Sequence, residues 1–242
     1  MHRPVFSRPI LAASMNSASQ IRQVTGMVSH RDINSGLPPD NAQPSPSGFE
    51  RRKEHKPEQA SPKEDVYVLT LRTNAEHEAQ MTALRERYFP AHLLKVPQAH
   101  ITLFHALPES LLSTIISDLT SRTALVSSFP IHTEKPYGSK RGVFIPVTGL
   151  EKAKSLRQAL QSRWWKWLSP QDQSLFGHGQ GRGKGKGHYT IMNKVDDEDV
   201  VKSCLDELEA DFTISKGFAV GLALWRYDRG WWRHEQDFRF SE

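Results

Sequence analysis

Between residues 65 and 240 the chain alternates short apolar runs of strand length with amphipathic stretches of helical period, and it does so twice. That alternation limits the fold more than any single motif. Residues 65–71 read as a strand, followed by Asn74 at a helix-cap position and by Met81, Leu84 and Tyr88 at helical spacing up to Pro90. Residues 99–107 read as a second strand, and Leu111, Leu112, Ile115, Ile116 and Leu119 form one apolar helical face. Two further strands are expected at 126–134 and 142–148, joined by the polar segment 135–141 as a loop. The second half repeats the plan. Ala153, Leu156, Leu160, Trp164 and Trp167 share a helical face, of which only Trp165 among the neighbouring tryptophans falls off, and a strand follows at 188–193. Acidic residues at 196–199 suit the positive end of the next helix dipole, and Val200, Val201, Cys204, Leu205 and Leu208 form its stripe. Closing strands are expected at 211–215, 218–227 and 231–240, with Asp228-Arg229-Gly230 as a hairpin turn. Several connections are too short for parallel crossovers, so the expected class is α+β, mainly antiparallel, with an internal duplication of architecture.

The first 63 residues do not share this pattern. They hold 8 of the 15 prolines and nine serines, with neither Trp nor Tyr, so they cannot bury enough apolar surface to offset their ordering entropy. We expect residues 1–63 to be a disordered extension and 64–242 to be the folded domain. Residues 1–31 carry four arginines and no acid, a composition similar to an organellar targeting segment. The expected location is intracellular, cytoplasmic or nuclear, with mitochondrial delivery as the alternative. No stretch approaches the roughly 20 apolar residues of a membrane span. One cysteine, Cys204, excludes an internal disulfide framework and a Cys-rich zinc site, and its place in an apolar helical row predicts a buried thiol.

Net charge is +5, but its distribution says more. Residues 1–63 carry nine basic and five acidic side chains, and the rest carry 23 and 22, so the folded part is nearly neutral. Within it, residues 135–194 hold twelve basic residues and two acids, whereas 195–242 hold six and twelve. Positive charge concentrated in one region suits a phosphate-bearing ligand at one site better than whole-surface binding of a polyelectrolyte.

Two tetrapeptides, His100-Ile101-Thr102-Leu103 and His188-Tyr189-Thr190-Ile191, open a short strand in each half. Strand side chains alternate, so His and Thr two residues apart share a face. If the halves face each other, two imidazoles and two hydroxyls converge, a set suited to phosphoester chemistry without a metal. A neutral imidazole accepts a proton from the attacking oxygen, a protonated one donates to the leaving oxygen, and the hydroxyls donate to phosphoryl oxygens as charge develops. Two packed strand histidines are the competing explanation.

The pair HITL and HYTI resembles the signature of the 2H phosphoesterase superfamily, and HYTIMNKV and the segment 221–232 are similar to its 2′-5′ RNA ligase-like branch. The resemblance implies a bilobal fold of two pseudo-symmetric lobes with an active-site cleft between them. It implies His100, Thr102, His188 and Thr190 as catalytic residues and no required cofactor or metal. It implies hydrolysis or formation of phosphodiesters, with 2′,3′-cyclic phosphates of nucleotides or RNA ends as substrate; separately, a monomer is expected. The alternative is a non-catalytic nucleotide- or RNA-binding module with the same cleft.

Substrate-binding candidates are Tyr137 as a stacking ring, Lys140, Arg141 and Lys186 as phosphate-attracting charge, and Phe104, which by strand alternation shares the His100 face. His105 is expected to point away as a core histidine. The run 177–187 alternates glycine with Arg182, Lys184 and Lys186, a flexible basic loop that matches neither a Walker A nor a dinucleotide-binding motif. HExxH and GxSxG motifs are also absent from the sequence.

Overall fold

The computed structural model describes residues 64–94, 98–174 and 187–242. The expectations for the extension 1–63 and for Arg182, Lys184 and Lys186 lie outside the described residues. Eight strands are described: β1 (Val66–Thr73), β2 (Ile101–Pro108), β3 (Phe129–Thr133), β4 (Tyr137–Ser139), β5 (Gly142–Thr148), β6 (His188–Met192), β7 (Lys216–Asp228) and β8 (Trp231–Arg239). The helices are α1 (Ala75–Tyr88), α2 (Leu112–Thr123), α3 (Glu151–Trp164), α4 (Pro170–Gln173) and α5 (Glu198–Asp211).

Every pairing between these strands is antiparallel, in the order β2-β1-β7-β3-β5-β4, with β6 added on β5 and β8 on β7. The fold is α+β, as expected. The first half runs β1-α1-β2-α2-β3, and the second runs β5-α3-β6-α5-β7 with the short α4 inserted. Each half lends a strand to the other: β7 pairs with β1, and β3 pairs with β5. Both strands carrying a His/Thr pair are edge strands, β2 held by β1 and β6 by β5.

α2 and α3 share one part of the core with β2. Ile115, Leu119 and Leu160 are fully buried there, and the Trp164 ring packs 5.4 Å from that of Phe104. The Trp164 indole N–H, otherwise stranded in this core, donates to the Asp118 carboxylate at 2.9 Å. On the second-half sheet, α5 packs against β4 and β5 through Val201, Cys204 and Leu208. Burial pushes the Cys204 thiol up to about 11, which keeps it unreactive. Among the described residues no helix is long and apolar enough to cross a membrane.

Several local expectations are corrected. Trp167 is 46% exposed, because α3 tightens into a 3-10 turn at Trp165–Trp167 and the helical phase is lost, leaving Trp164 as the core residue of the three. Val200 is half-exposed at the first turn of α5, outside its buried row. No strand forms at 211–215: α5 continues to Asp211, and Ser215 is held by Thr133, whose hydroxyl takes its N–H at 2.8 Å. The segment 135–141 is not all loop, since β4 pairs with β5 through Tyr137↔Phe144. The hairpin turn at 228–230 is as expected, with positive φ at Arg229 (49°) and Gly230 (95°).

Candidate active site

β2 leads in through Ala99, whose N–H is held by the Thr82 hydroxyl of α1 at 3.0 Å. His100 follows immediately, half-buried, with its ring 4.5 Å from that of Trp232 on β8. Its Nδ1 lies 3.0 Å from the Gln98 carbonyl oxygen. A carbonyl only accepts, so Nδ1 carries the proton and Nε2 presents the lone pair. Burial, and then the nearby Arg85 guanidinium, push the imidazole down to about 4, against the opposing pull of the Gln98 carbonyl. His188 and His105 add smaller pushes in the same direction. His100 is therefore neutral at physiological pH.

Thr102 is paired with Thr70 of β1, so the two hydroxyls share a face. The Trp225 indole N–H donates to Thr70 Oγ1 at 2.9 Å, and a small recess beside His100 is lined by Thr70, Arg72, Glu78, Gln98, Trp225 and Trp232. On the other side, β6 begins at His188, and Thr190 pairs with Phe144 of β5, which pairs in turn with Tyr137 of β4. These side chains form an aromatic row on one face. Tyr137 stacks on Phe144 at 5.4 Å, and Phe144 meets the His188 ring edge-on at 5.1 Å. The intervening Tyr189 and Ile191 point into the core.

β2 and β6 are not hydrogen-bonded to each other, yet their backbones approach within 8 Å. α1 lies against β6 and fastens it, because Arg85 Nη1 donates to the Thr190 carbonyl at 2.6 Å. The two His/Thr pairs are thus carried on neighbouring edge strands of opposite halves, close enough for the charge of His188 to act on His100. The 2′-5′ RNA ligase superfamily matches the chain over residues 73–231, which includes both pairs.

The chain belongs to the 2′-5′ RNA ligase superfamily. Membership makes phosphoester chemistry its class of activity. No curated protein matches the chain. Solved structures similar to it include TT0787 of Thermus thermophilus, at 16% identity over 72% of this chain and 97% of that one, with a TM-score of 0.49. Escherichia coli LigT complexed with NADP+ is 14% identical over 74% and 99%, with a TM-score of 0.48. The same protein complexed with 3′-AMP is 15% identical over the same shares, at 0.47.

Within this superfamily member the secondary candidates fall in different places. Tyr137 lies one strand away from the His188 strand, across Phe144 of β5. Lys140 is exposed and lies 3.9 Å from Glu198, and Arg141 lies 2.7 Å from Asp196. Both are therefore turned toward the acidic start of α5. Lys186 lies outside the described residues.

Phe104 does not share the His100 face; it is fully buried against Trp164, with the Arg157 guanidinium 4.8 Å from its ring. The cause is β2 itself, which carries an extra residue between the pairs Thr70↔Thr102 and Leu69↔Phe104, and another before Tyr67↔Leu107. Each bulge shifts the alternation by one residue. For the same reason His105 is not a core histidine; its half-exposed ring meets the buried Asp172 carboxylate at 3.2 Å.

Simple strand and helix patterns miss Arg85, Trp232 and Phe144. Arg85 follows His77 and Met81 at four-residue steps, a buried row on α1 that ends in a charge. Among the described residues no group of three or more His, Cys, Asp or Glu side chains is placed to hold a metal.

Proposed function

We propose that this chain is a metal-independent phosphoesterase that uses His100 and His188 to hydrolyse, or in reverse to form, phosphodiesters of nucleotides or RNA ends, with 2′,3′-cyclic phosphates as substrate. The approach of the two His/Thr strands carries this reading. His100 is the proton acceptor: it is neutral, its Nδ1 is committed to Gln98, and Nε2 is left to take a proton from the attacking water as the oxygen–phosphorus bond forms. His188, protonated, gives its proton to the leaving ribose oxygen as the cyclic ester opens. Thr102 and Thr190 donate to the non-bridging oxygens, where negative charge grows. The nucleobase stacks on Tyr137, with Phe144 behind it. In ligation a 5′-hydroxyl takes the place of water with the same two roles, and the roles exchange when the ligated diester is cleaved back to the cyclic phosphate and the 5′-oxygen leaves.

The test is turnover of 2′,3′-cyclic mononucleotides and of oligonucleotides ending in a cyclic phosphate, with EDTA present. Turnover should survive the chelator. His100→Ala and His188→Ala should each lose at least roughly a hundredfold, the lower range for a general acid or base. Retained turnover in both variants would rule out the histidine pair. Saturable binding without product in the wild type would favour the binding-module alternative.

A further inference from the structure

α1 touches both motifs, through Thr82 at the residue before His100 and through Arg85 at Thr190. Arg85 is the unusual member. It is 5% exposed, its guanidinium lies 4.0 Å from the centre of the Phe89 ring, and burial lowers its pKa only to about 10, so it stays charged. Burying a guanidinium is unfavourable, and packing does not account for it, because a Met or Leu would serve the α1 row begun by His77 and Met81.

We propose that Arg85 is a positioning residue of the active site, whose guanidinium fixes the second motif strand at the Thr190 carbonyl while holding a permanent positive charge toward His100. This rests on the proposed function only for its kinetic consequence; the geometry stands without it. The hydrogen bond sets where His188 and Thr190 project from β6. The charge disfavours the imidazolium of His100 and so preserves the proton acceptor under mildly acidic conditions. The groups around His100 fit this account. Arg85 faces it from α1 and His188 from β6, with His105 further along β2. Arg72 and Glu78, which line the neighbouring recess, are paired with each other at 3.7 Å, and Arg72 is also paired with Asp237 at 3.2 Å.

The experiment uses the full chain as Arg85→Gln and Arg85→Lys. Histidine NMR titration is assigned with a His100→Gln spectrum, and melting temperature and the pH–rate profile are measured alongside. In Arg85→Gln the His100 midpoint should rise by about half a unit or more as the charge is lost. Turnover at the pH optimum should drop about tenfold, with the acid limb of the profile moved up. Arg85→Lys should hold the His100 midpoint near that of the wild type while recovering only part of the turnover, because an ammonium keeps the charge and loses the planar fork. An unmoved midpoint in folded Arg85→Gln overturns the proposal. If Arg85→Gln does not fold, Arg85→Lys decides it: full turnover, or a midpoint risen toward that of free histidine, overturns it. A wild type without turnover on any phosphodiester would end the proposed function and leave the NMR result to judge Arg85.

Discussion

At the scale of single residues, the site keeps one imidazole neutral and oriented. The Gln98 carbonyl selects its tautomer, and the Trp232 ring at 4.5 Å keeps water from one side. Trp232→Ala should let water reach the ring and raise the His100 midpoint toward the ordinary value near 6.5. The loss in kcat/KM should then be greater at pH 5 than at pH 8, a contrast that a pH–rate profile reads directly. A uniform loss across pH would assign Trp232 to packing alone. Tyr137 makes a separate prediction, because its ring stacks on that of Phe144. Tyr137→Ala should raise KM for a cyclic nucleotide about tenfold with little change in kcat, the worth of one stacked base.

At the scale of elements, β2 shows how the chain aims His100 and Thr102. Its two bulges are pinned by Asp172 of α4, fully buried, which accepts from the His105 and Ala106 N–H groups at 2.8 and 2.9 Å. Arg157 of α3 holds the Leu103 carbonyl at 2.8 Å. Asp172→Ala would strand both amides and should cost about 3 kcal/mol, seen as a melting point lower by about 6–12 °C. This pinning also explains which parts of the site are readable in the sequence. His100 and Thr102 precede the first bulge of β2, where strand alternation still holds, and His188 and Thr190 likewise precede the irregularity of β6 between Thr190 and Met192; both pairs can be recognised from spacing alone. Phe104 and His105 lie beyond a bulge whose partner comes from 66–67 residues later in the chain, so local alternation assigns each to the wrong face. Arg85 is hidden for another reason, since helical pattern-reading treats a charge as a solvent position, and here tertiary contacts hold it inside.

At the scale of the molecule, the exchange of strands between halves ties the site to global stability. β7 and β3 each join the other half's sheet, so the histidine strands keep their approach only while the whole antiparallel network is intact. Two imidazoles make that network sensitive to acid. Burial lowers the pKa of His77, which is 1% exposed, with Nδ1 2.8 Å from the Ser215 hydroxyl and a ring so close to Gly217 that an added Cβ would lie 2.5 Å from it. His100 is lowered further, to about 4. In both cases the folded state resists a proton that the unfolded chain accepts near 6.5, so the unfolded state binds more protons on the acid side of that value. Stability from these groups is complete above about pH 6.5 and is lost as pH falls toward 4. The melting temperature should therefore be flat with respect to these two histidines above pH 7 and decline between pH 6.5 and 4. His100→Gln should flatten part of that decline, and a curve parallel to wild type across the interval would mean that His100 is not held neutral. The environment that keeps the His100 imidazole neutral at neutral pH is thus one that costs the fold stability in acid.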